Sequence, residues 1–89
     1  MKIHFDPAKD AGNQAKHGVP LSDAMHLNWN TLMAWEDRRK DYGEQRMVGL
    51  VLMGDRLYSV VYVDRETGRR VISLRKANRR EVLRYVDEN

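Results

Sequence analysis

The chain contains no cysteine, and this absence excludes two classes of small protein. An 89-residue sequence without thiols is neither a disulfide-stapled domain nor a cysteine-ligated zinc finger. Long apolar runs are also missing, since the longest, residues 47–53, is far shorter than the roughly 20 residues that span a bilayer. Asp6 and Pro7 interrupt the segment where a secretory signal would have its apolar core. We therefore expect a cytoplasmic protein without membrane contact.

Cofactor fingerprints are absent as well. The sequence has no glycine-rich phosphate loop, no nucleophile elbow and no HExxH motif. Its three histidines, His4, His17 and His26, do not have the close spacing typical of zinc ligands. We expect neither a metal ion nor a cofactor.

Charge is distributed unevenly along what we expect to be a single domain, residues 1–89. Apolar residues make up 42% of the chain and charged residues 33%, which is typical of a globular fold. The segment from Arg69 to Arg84 contains seven basic residues and only one acidic residue, Glu81, while the rest of the chain has a net charge of −3. Such a basic end favours a polyanion site, and the alternative is an ordinary solvated surface.

Two helices are predicted near the N-terminus, after a short strand at residues 3–5. Asp6 can cap a helix over residues 7–17, and Gly18 can end it in the left-handed conformation. A second helix is expected to begin near Pro20 or Ser22.

From Thr31 onward the pattern predicts strands, followed by a final helix. The predicted strands are Leu32–Glu36, Gln45–Met53, Leu57–Asp64 and Arg70–Arg75. Short turns at Gly54-Asp55 and Glu66-Thr67-Gly68 join the last three into an antiparallel meander. The closing helix opens at Asn78, which with Glu81 fits a capping box. The predicted class is α+β.

The junction of the last strand and the last helix is the strongest candidate site. Alternation predicts that Arg69, Val71, Ser73 and Arg75 share one face of the strand, and that Arg70, Ile72, Leu74 and Lys76 share the other. Lys76, Arg80 and Arg84 recur at four-residue spacing, with Arg79 beside them, where a helix N-terminus adds partial positive charge. A phosphate backbone is the ligand expected at such a corner.

Further candidates lie outside this corner, and each has a structural alternative. Arg46 with Glu44 could clamp a scissile phosphate or form a surface ion pair. His17 could shuttle a proton or stabilise the end of its helix. Tyr85 could stack on a base or pack half-buried, and the two tryptophans are expected in the core or a partner interface.

Three ordered blocks of the sequence resemble the BrnT-like toxin family. The first is Phe5-Asp6-Pro7 with Lys9, Asn13 and Lys16-His17-Gly18-Val19; the second is Gly43-Glu44-Gln45-Arg46 with Gly49. The third runs from Arg70 to Ala77 and continues with Arg80-Glu81 and Tyr85. Pro20 and the charged segment 36–42 depart from the family pattern.

The resemblance implies a RelE-like fold and a ribonuclease that blocks translation. It also implies a BrnA-like antitoxin encoded beside the gene and operator DNA binding only through the complex with that antitoxin. We hypothesise a type II toxin that cleaves RNA without metal, by attack of a ribose 2′-hydroxyl. Arg46, Arg75 and Arg79 would stabilise the transition state, and His17 or Glu44 would transfer protons. The predicted RNA-binding residues are Lys76, Arg80, Arg84 and Tyr85. The alternative is a non-catalytic module that binds nucleic acid or a partner.

Overall fold

Five strands form one sheet, in the order β1-β5-β4-β3-β2, in a computed structural model that describes residues 1–89. The elements are β1 (Ile3–His4), α1 (Pro7–His17), a 3-10 helix (Leu21–His26), β2 (Asn28–Glu36), β3 (Met47–Met53), β4 (Arg56–Arg65), β5 (Gly68–Lys76) and α2 (Arg79–Glu88). The α+β class predicted from the sequence is confirmed. No helix is long and apolar enough to cross a membrane.

The first predicted helix is confirmed at both ends, whereas the second is shorter and tighter than expected. The Asp6 side chain accepts a hydrogen bond from the amide of Ala8, and Gly18 ends α1 with φ 75°. The segment after Pro20 forms a 3-10 helix instead of an α-helix. Its two buried residues, Leu21 and Ala24, are three apart, which matches three residues per turn.

Strands β3 to β5 form the predicted antiparallel meander and β2 extends it, but the sheet as a whole is mixed. Strand β1 pairs in parallel with β5, with Ile3 opposite Arg69 and His4 opposite Arg70. Strand β2 begins at Asn28, earlier than predicted, and its register with β3 is irregular between Asn28 and Met33. There the Leu52 amide donates to the Thr31 hydroxyl, which takes the place of a backbone acceptor.

Helix α1 and the 3-10 helix cover one face of the sheet and form the core with it. The core residues are Val19, Leu21, Ala24, Leu27, Val51, Tyr58, Val60, Tyr62, Val71 and Leu74. Asn13 joins this layer to the outer edge of β5. Its amide nitrogen donates to the carbonyls of Val19 and Leu74, both at 2.7 Å, and its oxygen accepts from the Leu74 amide. The carboxamide therefore completes the edge of the sheet where β1 has ended.

A bulge in β5 overturns the predicted alternation of its side chains. Val61 pairs with Ser73 but Tyr62 pairs with Val71, so that Ile72 is an extra residue in β5. Val71 and Leu74 consequently both enter the core. The single row of Arg69, Val71, Ser73 and Arg75 predicted from the sequence is wrong, because a bulge reverses the facing of every residue beyond it.

The bulge separates the two arginines of that row. The Arg69 guanidinium lies over the ring of the core residue Tyr62 at 4.2 Å and pairs with Asp64 at 2.7 Å. Arg75, beyond the bulge, faces the opposite side of the sheet with Ser73, where the two line a common cavity. Of these two arginines, only Arg75 therefore lies on the face of the sheet opposite the core, which we call the second face.

Helix α2 lies against that second face. Its N-terminus has the predicted capping box, in which the Asn78 side chain accepts from the Glu81 amide and Glu81 accepts from the Asn78 amide, both at 2.9 Å. The Tyr85 hydroxyl donates to the Thr31 carbonyl at 2.6 Å and joins the helix to β2. None of the residues of α2 is fully buried, so the helix covers this face only in part.

Candidate functional site

A cavity of about 430 Å³ opens on the sheet face opposite the core. We call it the arginine cleft; it is lined by Trp35, Glu36, Asp37, Arg38, Arg39, Val48, Ser59, Val61, Ser73, Arg75 and Glu81. Strands β3, β4 and β5 supply the floor, including two serines. The end of β2 and the loop after it form one wall, and Arg75 with Glu81 forms the other.

Arg75 is fixed in this cleft by a two-point ion pair with Glu81. The two terminal nitrogens of Arg75 donate to the two carboxylate oxygens, each at 2.8 Å. Hydrogen bonds from Arg75 lower the pKa of Glu81, and the carboxylate in turn raises the pKa of Arg75. Glu81 Oε1 also accepts the Asn78 amide of the capping box. The start of α2 and the orientation of Arg75 are therefore coupled through one carboxylate.

Arg75 retains donors for a ligand despite this pair. A guanidinium carries five N–H groups, of which two are directed at Glu81 and one at the Lys76 carbonyl, 3.3 Å away. Two N–H groups remain, one of them on Nε. Arg75 is thus a positioned donor with capacity for an anionic oxygen, and its side chain is 37% exposed.

The opposite wall repeats this arrangement with Asp37 and Arg39. Asp37 Oδ1 accepts from Arg39 Nε at 2.9 Å, Oδ2 accepts from Nη2 at 2.7 Å, and the Tyr42 hydroxyl adds a third bond at 3.2 Å. The carboxylate is only 1% exposed, whereas Arg39 is 75% exposed. Hydrogen bonds from Arg39 hold the pKa of Asp37 well below its usual range, although burial acts in the other direction.

These lowered pKa values predict acid sensitivity. A carboxyl group whose pKa is lower in the folded state stabilises the protein above the ordinary carboxyl pKa, and this contribution is lost as the pH falls below it. We expect the free energy of unfolding, measured by urea titration, to fall between about pH 5 and pH 2. Asp37→Asn should flatten that dependence, while Glu66→Gln, at an exposed turn residue without an ion pair, should not. An unchanged slope for Asp37→Asn would contradict the assignment.

The charge of the cleft itself is balanced. Arg38, Arg39 and Arg75 are each paired with a carboxylate that also lines the cleft. Surplus positive charge lies on the adjoining strand end and helix start, where Lys76, Arg79 and Arg80 are exposed and form no ion pair. The cleft therefore presents fixed donors, and the neighbouring cations supply the long-range attraction for an anion.

Arg46 lies behind the Asp37 wall and does not line the cleft. Its guanidinium stacks on the Tyr42 ring at 3.9 Å, and its Nε is buried without a hydrogen-bond partner. The Arg46 carbonyl accepts the Asp37 amide at 2.7 Å. Arg46 is thus connected to the cleft through Tyr42 and Asp37.

The two predicted proton-transfer residues lie elsewhere. His17 is in the last turn of α1, in the layer that covers the core face. Glu44 belongs to the loop before β3 and pairs with Arg65 at 3.1 Å. Neither side chain lines the arginine cleft.

The predicted RNA-binding residues, at the end of β5 and on α2, divide into two groups. The Arg84 guanidinium covers the ring of Trp35 at 4.0 Å and pairs with Glu88, and the Tyr85 hydroxyl is bonded to β2. Both therefore hold the helix against the sheet. Lys76 and Arg80 are exposed and unpaired, and so is Arg79, which was predicted to stabilise the transition state. No three His, Asp or Glu side chains converge in the way a metal ion requires.

Four residues that line the cleft were not predicted from the sequence as site residues: Asp37, Arg39, Ser59 and Ser73. Glu81 was predicted only as part of a helix cap. Asp37 and Arg39 lie in a charged loop without periodicity. A signal for Ser59 was nevertheless present, since it interrupts the apolar run of residues 57–63 within β4, and the structure shows it only 4% exposed. A small polar residue at such a strand position indicates that this side of the strand faces a ligand cleft rather than the apolar core.

Comparison with protein families identifies the chain. Residues 5–81 match the family described as "Ribonuclease toxin, BrnT, of type II toxin-antitoxin system". The match begins just after β1, includes α1 and β2 to β5, and ends at Glu81, the residue that fixes Arg75. A comparison with curated protein sequences finds no significant match. Because the family match covers most of the chain, the protein belongs to the BrnT family of ribonuclease toxins of type II toxin–antitoxin systems.

Proposed function

We propose that this toxin cleaves RNA in the arginine cleft without a metal ion, by attack of a ribose 2′-hydroxyl on the adjacent phosphate. The observation that carries the proposal is Arg75, which is held on two points by Glu81 and retains free N–H groups inside a cavity. A donor fixed before the substrate arrives needs no reorganisation when charge develops on the phosphate.

The reaction has a simple balance. The 2′-oxygen forms a bond to phosphorus, the bond from phosphorus to the 5′-oxygen breaks, and the products are a 2′,3′-cyclic phosphate and a 5′-hydroxyl. One proton leaves the attacking hydroxyl and one reaches the departing oxygen. In the proposal, Arg75 and Arg79 stabilise the negative charge of the transition state, and Arg46 acts from behind the Asp37 wall.

Proton transfer is proposed to be the weaker part of the catalysis. Glu81 and Asp37 have lowered pKa values, so that neither is a strong base and neither holds a proton at neutral pH. His17 and Glu44 stay as the candidates from the sequence, although they lie outside the cleft. Catalysis that depends chiefly on arginine is consistent with a toxin, because few cuts suffice to stop translation.

The proposed path of the RNA backbone follows the unpaired cations. Lys76, Arg79 and Arg80 extend from the rim of the cleft along the end of β5 and the start of α2, where the helix N-terminus adds partial positive charge. Arg84 and Tyr85 support this track by holding α2 in place. Ser59 and Ser73 offer hydroxyl groups to a nucleotide that enters the cleft.

We further propose that the fold is RelE-like and that the antitoxin is BrnA-like. The four-stranded meander with helices on both sides is compatible with the first suggestion. What supports the second is that the family belongs to type II toxin–antitoxin systems, in which the antitoxin is a protein. In this proposal operator DNA is bound only by the toxin–antitoxin complex.

Incubation of purified toxin with RNA in excess chelator tests the activity. We expect fragments that end in a 2′,3′-cyclic phosphate, identified by mass spectrometry. The matched control is the same RNA with 2′-O-methyl groups, which should stay intact because its attacking hydroxyl is blocked. A parallel reaction with translating ribosomes extends the test to ribosome-bound RNA.

Two results would overturn the proposal. If RNA is retarded in a gel but stays intact in both reactions, the protein is a binding module. The second result is cleavage with other requirements: a need for a divalent cation would exclude the metal-free reaction, and cutting of the 2′-O-methyl RNA would show that the attacking group is not the ribose hydroxyl.

A further inference from the structure

Exposed apolar side chains are concentrated on α2. Five large hydrophobic residues of the chain are exposed, and three of them are Val82, Leu83 and Val86, at 40%, 56% and 66%. The spacing of these three places them on one side of the helix. We call them the α2 stripe. A stripe of this kind on a 10-residue helix costs solubility unless a partner covers it.

A groove lies beside the stripe. It encloses about 490 Å³, and its apolar lining residues are Leu52, Leu57, Ala77, Val82, Tyr85 and Val86. Strands β3 and β4 form one side and α2 the other. Val82 and Val86 belong both to the groove and to the α2 stripe, so that the two make one continuous apolar surface.

The chemistry of this surface selects protein over RNA. Aliphatic side chains provide neither the charge that phosphates need nor the aromatic rings on which bases stack. The N-terminal end of α2, beside this surface, carries three exposed cations without ion pairs: Lys76, Arg79 and Arg80. The complementary ligand is therefore a polypeptide segment with an apolar side flanked by aspartate or glutamate.

We propose that such a segment of the cognate antitoxin docks on the α2 stripe and its groove. Type II systems supply a protein partner, and the surface adjoins the site that this partner must silence. Glu81 lines the arginine cleft and the next residue, Val82, lines the groove. A segment bound in the groove reaches the rim of the cleft. Its carboxylates there form ion pairs with Arg79 and Arg80, which are then not available to RNA phosphates.

The inference rests on the family's antitoxin and not on the proposed chemistry, and the test keeps the two separate. The probe is the antitoxin purified from the reading frame beside this gene, titrated by calorimetry into toxin carrying Arg75→Ala, with no RNA present. We expect Leu83→Glu and Val86→Glu each to weaken binding by about 10- to 100-fold, since both bring negative charge to an acidic ligand. Leu83→Ala, which favours the helix, should weaken binding by a smaller factor.

Met25→Glu is the matched control, because Met25 is 65% exposed on the other face of the molecule and should leave binding unchanged. Circular dichroism shows whether each variant is folded, and Leu83→Ala or Val86→Ala replaces the corresponding glutamate variant if that variant is not. If every α2 variant binds the antitoxin with the same affinity as Met25→Glu does, the proposal is overturned. A toxin that is dimeric alone and monomeric with Leu83→Glu would also overturn it, since the occupant would then be a second copy of the chain.

Discussion

Arg75→Ala is expected to lower the rate of RNA cleavage by about 10²–10³-fold, the loss typical of removing one fixed donor to a developing negative charge. The substitution removes the only arginine that approaches the cleft from β5. Arg75→Lys keeps the charge but not the fork that Glu81 grips on two points, and we expect an intermediate rate. The measurement is single-turnover cleavage, with growth arrest on expression as the cellular readout.

Two controls make this result specific. Arg56→Ala removes an exposed arginine at the start of β4, outside the cleft, and should leave cleavage unchanged. Glu81→Gln keeps the shape of the residue that positions Arg75 but removes its charge, and should lower the rate by less than Arg75→Ala does. If Arg75→Ala stays fully active while its unfolding midpoint is unchanged, catalysis does not occur in this cleft.

Asn13→Ala is expected to destabilise the fold by about 2–4 kcal/mol, because three hydrogen bonds are lost together and the Leu74 backbone is left unpaired. For a domain of this size the change corresponds to a fall in Tm of roughly 10–30 °C. Asn13→Asp should be no better, since a carboxylate would face the two carbonyl oxygens that now accept from the amide nitrogen.

Thermal and urea unfolding in the Arg75→Ala background, which avoids toxicity, measure this effect. Asn30→Ala is the control, because Asn30 is exposed on β2 and its side chain makes no hydrogen bond; its change should stay within about 0.5 kcal/mol. An Asn13→Ala variant as stable as the Asn30→Ala variant would show that water replaces the carboxamide at the edge of β5.

Features that depend on near neighbours in sequence were predictable. The Asp6 and Asn78 caps, the Gly18 helix end and the tight turns of the meander each follow from a few adjacent residues. The basic corner was predictable for the same reason, because Arg75 and α2 are contiguous.

Features that depend on distant pairing were not predictable from local patterns. The parallel pairing of β1 needs residues 3–4 to meet residues 69–70. The bulge at Ile72 depends on the register of β5 with β4, and it decides which arginines face the cleft. Glu81 shows the limit most clearly, since the capping box was visible in the sequence but its second role needed Arg75 to face it across the strand–helix junction.

The parallel pairing also affects the order of events during synthesis. The first strand has no partner until residues 69–70 have emerged from the ribosome, and the carboxamide of Asn13 must wait for Leu74. Contacts this distant along the chain form late in folding. The cleft itself needs Arg75 and Glu81, so a nascent chain of this ribonuclease has no assembled cleft until those two residues have also emerged.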